Sequence, residues 1–348
     1  MSLHRLTYHV PLGRVACRSP FRRPAYPPGI RTTASAIVGK SGRVYVQGDV
    51  LQRRDDPRLS IFKAESGKAS VVLKRVTKPF YEFSMRFANE FAGSHRLRLH
   101  TDCNEEEGIL VYPYFRDTLL GLMQADPDFP PVERKKILQC VGEAIQELHH
   151  EDWIHIDVKP DNILVNWTSD EDGQKTVTGV NLGDFDIAFK SEGGRPRQTP
   201  YAIGNAMWRS PEGQTGRGVT KASDIFSFGL VCIYAMGGGQ FLLLNNYQEL
   251  VKHGIPPEQE ILARHFAYFG LVPEGLLKQV DNELWCGALK EASASAAKAV
   301  KEHPDLRFQH WGAELHPEAQ IMISGMTNPD PTVRPTIDQV MASPWWQD

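Results

Sequence analysis

The feature that most constrains this chain is a change of hydrophobic period near residue 117. From Arg43 to Lys78 the apolar residues fall in short runs rich in β-branched side chains. These are VYVQGDVLQ, LSIFKA and, past a Glu65-Ser66-Gly67-Lys68 turn, SVVLKRV, the pattern of strands joined by tight turns. PFYEFSMRFANEFAGSHRLRL then repeats Phe83, Phe87 and Phe91 along one helical face, and GILVYPYF returns to strand texture. From DTLLGLM onward the spacing is mostly helical. Residues 132–150 place Ile137, Val141, Ile145 and Leu148 on one face, as a packed amphipathic helix requires. ILVNW and TVTGVNL predict a hairpin around Asp170 to Gly173. PPEQEILARHFAYFG and ALKEASASAAKAVKEH read as helices, and the last helix is expected to begin near Thr336. The pattern predicts an α+β chain with a small β-rich lobe over 43–116 and a large helical lobe over 117–348. A cleft between such lobes is the usual place for a small molecule.

Composition narrows the function classes. A chain of 348 residues can bury a sizeable core. A formal charge of −3 gives no electrostatic basis for a nucleic-acid partner. The five cysteines form no C-x-x-C pair and are odd in number, which fits a reducing compartment without a zinc site. Residues 1–42 contain several arginines and no Asp or Glu. They read as a basic leader, either a disordered arm or a transit peptide. An intracellular protein is expected, cytoplasmic or mitochondrial according to that leader. IFSFGLVCIYAMGGGQFLLL, residues 225–244, is interrupted by a glycine triplet and Gln240. It predicts a buried core helix and no membrane span.

Chemistry concentrates in HIDVKPDNILV, residues 155–165. Asp157 can orient a hydroxyl or accept its proton, and Lys159 can neutralise charge on a transferring phosphoryl group. Asn162, with Asp184 of LGDFD, supplies the hard oxygen ligands that magnesium prefers. His149 and His150 raise a metal reading with His155, but no third converging ligand is visible. The preferred reading makes His155 structural.

In order along residues 45–347, these motifs resemble those of the eukaryotic Ser/Thr protein kinase domain, which implies a bilobal fold with a small β-rich N-lobe and a large helical C-lobe. His155-Ile156-Asp157 through Asn162 resembles the family's H-R-D-x-x-x-x-N loop, Asp184-Phe185-Asp186 its D-F-G, and Ser210-Pro211-Glu212 its A-P-E. The resemblance implies that Lys74 of VVLKRV holds the α- and β-phosphates of ATP, with Glu90 as its ion-pair partner on the following helix. It implies Asp157 and Lys159 as catalytic residues, and Asn162 and Asp184 as ligands of Mg2+, with Mn2+ as an alternative. LVYPYF resembles the hinge, with Tyr112 at the inner gate and Tyr114 either beside the adenine or in ordinary core. Asp224 would brace the catalytic loop, and Arg334 would pair with Glu212. The implied reaction moves the γ-phosphoryl group of ATP to Ser/Thr hydroxyls of a protein substrate.

Several positions depart from the family pattern. The segment between the first two strands, LQRRDDPRLS, has no glycine, so its backbone cannot approach phosphates as a glycine loop does. Asp55 and Asp56 would repel phosphates, an effect that Arg53, Arg54 and Arg58 offset in part. Ile156 stands where the family has an arginine that receives an activation-segment phosphate, which predicts no such switch through Thr199, Tyr201 or Ser191. Asp186 replaces a glycine. Asn205 replaces a threonine, and its amide is expected to bridge Asp157 and Lys159. A second reading therefore stays open, a pseudokinase serving as a nucleotide- or protein-binding scaffold. A third, transfer to a small hydroxylated metabolite, is disfavoured by the GNAMWRSPE platform.

Overall fold

The computed structural model describes residues 36–244, 247–252, 254, 256–312 and 315–347. Residues 1–35, and with them most of the basic leader and its transit-peptide reading, lie outside the described residues.

Among the described residues, six strands make the first sheet: β1 (Ala36–Val38), β2 (Val44–Gln52), β3 (Ile61–Ser66), β4 (Ala69–Arg75), β5 (Asp102–Asn104) and β6 (Ile109–Pro113). Their order is β1-β2-β3-β4-β6-β5, antiparallel throughout. The sheet thus begins at Ala36 and not at residue 43. Ile37 of β1 is buried with Tyr45, Ala64, Leu73, Ile109 and Val111, and burial of that side chain makes the extra strand worthwhile. The Tyr45 hydroxyl donates to Asp102 at 2.7 Å, and Ser41 bonds the same carboxylate, so the β1–β2 turn is fastened to β5.

Helix α1 (Lys78–Glu90) lies between β4 and β5, with Pro79 in its first turn, where a missing N–H costs nothing. Its Tyr81 packs with Cys103 and Leu110 of the sheet, while Phe87 and the following Phe91 join the core of the second lobe. The phenylalanine repeat that predicts the helix is therefore the face that joins the lobes.

The second lobe opens with β7 (Asp117–Thr118), α2 (Leu119–Ala125) and α3 (Pro131–His150). Ile137, Val141, Ile145 and Leu148 of α3 are fully buried, as their spacing requires. Strand β8 (Trp153–Ile154) precedes the polar loop, and β9 (Ile163–Ser169) pairs with β10 (Lys175–Leu182) in the expected hairpin. Helix α4 (Pro211–Thr215) and α5 (Lys221–Ile233) follow. Thr220 and Ser223 close a capping box at the start of α5, and every residue from Ser223 to Ile233 is buried. Helices Pro257–Phe269 and Glu283–Glu302 pack on each other, and Ile337–Met341 starts after Thr336 as expected. Among the described residues no helix is long and apolar enough to cross a membrane.

Candidate functional site

The loop from His155 to Asn162 is held from below by one carboxylate. Asp224, in the first turn of α5 and wholly buried, accepts from the backbone N–H of His155 at 2.8 Å and of Ile156 at 2.7 Å. The same carboxylate meets His149 Nε2 at 3.0 Å. Ile156 sits at φ 65°, a left-handed conformation that a β-branched residue adopts only under constraint. Two anchors supply the constraint: its N–H on Asp224, and its side chain buried with Ile154, Ile203 and Val219. His155 Nε2 lies 3.0 Å from the Gly183 carbonyl and its ring packs on Phe185, so it ties the loop to the Asp184 turn. Among the described residues no cluster of three or more His, Cys, Asp or Glu side chains is arranged to hold a metal.

Asp157 is fixed from three sides. Lys159 Nζ donates to its Oδ2 at 2.5 Å and Asn162 Nδ2 to the same oxygen at 3.1 Å, while the Asn205 backbone N–H donates to Oδ1 at 2.8 Å. The expected bridge from the Asn205 side chain is not made. Its Oδ1 accepts from the Met207 N–H, capping the local turn, and the backbone does the bridging. Any residue with a free N–H at position 205 could supply that bond.

Lys74, on β4, donates to Asp184 Oδ1 at 3.0 Å and to Asp186 Oδ1 at 2.5 Å. Burial alone would raise the carboxyl of Asp184, but the Lys74 ammonium outweighs it and holds that group well below the usual range. Burial, and then the charge of Asp184, push Asp186 upward despite the same ammonium. Two carboxylates thus share one cation.

Glu90 is not the partner of Lys74. Its Oε1 accepts from Lys190 Nζ at 2.5 Å and Trp153 Nε1 at 3.1 Å, at the C-terminal end of α1. The α1 residues that line the cleft are Phe80, Phe83, Ser84, Phe87 and Ala88, and Glu82 is exposed. The helix therefore turns an aromatic face to the cleft, and Lys74 lies 5.1 Å over the Phe80 ring.

A cleft open to solvent lies between the lobes. Lys74, Asn162, Asp184 and Asp186 line it, as do Tyr112, Val72 and Leu164. Tyr114 is not among the lining residues, and Lys63 Nζ lies 4.7 Å over its ring. Gln52 at the end of β2 and Arg54 of the glycine-free segment that follows line the cleft. That segment folds into a short 3-10 turn, Pro57–Leu59, capped by Asp56. Arg58 pairs with Asp56 at 2.8 Å, so that carboxylate is neutralised locally.

The donor set fits a hard divalent cation. Asn162 spends its amide N–H groups on Asp157, which leaves its carbonyl oxygen without a hydrogen bond among the described residues. Asp184 adds a carboxylate on the same wall. Oxygen donors of this kind suit Mg2+ when phosphate and water oxygens complete the shell.

Behind the activation segment, Arg334 bonds Glu212 through both terminal nitrogens, at 2.6 and 2.9 Å, with both side chains fully buried. This pairing follows the expectation. Sequence reasoning missed Asp186 as the second partner of Lys74, although the third residue of DFD was the visible signal. It also missed Arg98, which lines the cleft and donates to the Pro113 carbonyl at 2.9 Å.

The protein kinase domain family matches residues 95–346. The chain is similar to the serine/threonine-protein kinase PknB of Mycobacterium leprae (strain TN), at 28% identity over 228 residues, covering 64% of this chain and 31% of that protein. It is also similar to PknB of Mycobacterium tuberculosis (strain ATCC 25618 / H37Rv), at 30% identity over 189 residues, covering 51% of this chain and 25% of that one. The chain thus matches about a quarter to a third of the length of these relatives. Among solved structures, the yeast RNA Pol II CTD kinase CTDK-1 complex aligns with a TM-score of 0.66 and 14% identity, covering 93% of this chain and 97% of that chain. That likeness is one of fold.

Proposed function

The chain belongs to the protein kinase family, and from that premise we propose that it transfers the γ-phosphoryl group of ATP to serine and threonine hydroxyls of protein substrates. The observation that carries the reading is the threefold anchoring of Asp157 by Lys159, Asn162 and the Asn205 N–H. A carboxylate fixed in this way beside an open cleft can orient a hydroxyl and take its proton. Lys159, already on Asp157, would meet the phosphoryl charge at the same point, a placement that favours Ser/Thr over Tyr acceptors. Asn162 and Asp184 would hold Mg2+, which supplies charge neutralisation to the phosphates when bound. Lys74, kept in place by Asp186, would also meet the α- and β-phosphates. Little covalent chemistry is asked of the protein, so positioning and charge account for most of the rate.

A scaffold that binds nucleotide or protein is the second reading. What favours it is that α1 gives Lys74 no carboxylate and the segment over the phosphates has no glycine. Phosphoamino-acid analysis of a labelled protein substrate separates the two. Phosphoserine or phosphothreonine supports the kinase, and the absence of any labelled residue supports the scaffold.

A further inference from the structure

The cleft is charged around Lys74, Asp184 and Asp186, and Val72 and Leu164 give it apolar walls. In strand β6, Leu110 lies opposite Lys74 and Pro113 opposite Val71. Three residues of strand place the Pro113 carbonyl roughly 10 Å from the level of Lys74. A triphosphate would take the charged part and a flat base the space between Val72 and Leu164. Pro113 itself does not line the cleft, but Arg98, which does, reaches its carbonyl.

Arg98 already holds that carbonyl. Its backbone N–H is fixed on the Leu182 carbonyl at 2.8 Å, and its side chain runs past Gly183, where a Cβ would come within 3.3 Å of it. The guanidinium lies 5.2 Å from the Tyr112 ring centre and donates to Pro113 O through Nε at 3.3 Å and Nη2 at 2.9 Å. Among the described residues no carboxylate is within ion-pair distance of it. Burial pushes the group down to about 10, which leaves it charged at neutral pH. The side chain is half-buried and lines the cleft, and besides the carbonyl and the ring face it feels the charge of Asp184. With two of five N–H groups spent on Pro113, the rest of the fork remains for a ligand.

We infer that Arg98 sets the base preference of the cleft, donating to the 6-oxo edge of a guanine nucleotide. The inference rests on the nucleotide-dependent reading above and refines its donor. Guanine offers acceptors at O6 and N7, the pair that an arginine fork meets best, whereas adenine presents an amino donor beside N7. GTP accordingly serves this cleft at least as well as ATP.

The test is displacement of a fluorescent N-methylanthraniloyl nucleotide by unlabelled ATP or GTP in Mg2+, with wild type and Arg98→Leu. Wild type is expected to bind GTP at least as tightly as ATP, and Arg98→Leu to shift the ratio about tenfold toward ATP. Arg98→Lys, which keeps the charge and loses the fork, serves if the leucine variant does not fold, and should shift the ratio in the same direction. Tight binding of ATP with weak GTP by wild type, or a ratio unmoved by either variant, overturns the inference and leaves the kinase reading standing. Failure of wild type to bind either nucleotide overturns both.

Discussion

Lys74 and Asp186 meet at 2.5 Å across the cleft, and this pair stands where the resemblance placed one between Lys74 and Glu90. The lysine is therefore held by the turn that carries Asp184 and not by α1. Helix α1 gives the cleft phenylalanines, and Glu90 serves instead to join Lys190 and Trp153. Positioning of Lys74 is thereby separated from any movement of that helix.

The separation makes a prediction. Glu90→Gln should leave nucleotide affinity and turnover within about twofold, since a pair this exposed contributes little. Asp186→Asn should lower kcat by about tenfold or more with a smaller change in KM, because it loosens Lys74 without removing it. Steady-state kinetics of the two variants check this. Equal losses in both would show that α1 does position Lys74.

Ile156 predicts an enzyme without a phosphate switch at the activation segment. Its side chain is buried with Ile154, Ile203 and Val219, and Thr199 Oγ1 is already bonded to the Tyr201 and Gly216 carbonyls. Phosphatase treatment should leave the rate unchanged, and a fall of more than about tenfold would contradict the account. Ile156→Arg, which buries an unpaired charge, should cost about 3–5 kcal/mol in a denaturant titration.

How much of this was legible in the sequence depended on whether a residue acts through its own neighbours or through distant ones. The hairpin after Asn162, the α3 face and the Thr336 start were readable because periodicity and capping are local. The Asp224 brace and the Glu212–Arg334 pair were readable through the resemblance alone, since 69 residues separate His155 from Asp224 and 122 separate Arg334 from Glu212. Glu90 was misplaced because spacing gives a residue's distance along a helix and not the rotation of that helix against the sheet. Asn205 was misread for a related reason, as composition cannot tell a side-chain bond from a backbone one. Strand β1 was missed because three residues next to a glycine turn carry too little pattern.

The buried pair Glu212–Arg334 should dominate the response to one substitution. Arg334→Met leaves the Glu212 carboxylate buried without a partner and should cost about 3–5 kcal/mol. Burial alone would raise that carboxyl, but Arg334 holds it below its ordinary value of 4.5. Its stabilising contribution is therefore complete above that value and is lost as pH falls through the lower folded one. Denaturant titrations of wild type and variant between neutral and acid pH check both statements. Unchanged stability in Arg334→Met would contradict them.

His265 gives a second, separable pH dependence. It is buried against Phe226, its Nδ1 has no hydrogen-bond partner among the described residues, and burial pushes the imidazole from 6.5 down to about 3. The unfolded chain takes up this proton first, so stability should fall by about 1.4 kcal/mol per pH unit as pH drops below 6.5 toward 3. His265→Phe should remove that component, seen as the difference between wild-type and variant stability curves. Parallel curves would show that the histidine titrates freely in the folded state.

The most direct measurement of the central claim is transfer of labelled γ-phosphate to a mixed Ser/Thr peptide pool, in Mg2+ and in Mn2+, with both ATP and GTP as donors. Asp157→Asn, shown by melting to be folded, runs beside the wild type. The account predicts transfer by wild type and a loss of about 100-fold or more in the variant. No transfer by wild type with either donor in either metal, or equal transfer by the two proteins, would contradict it.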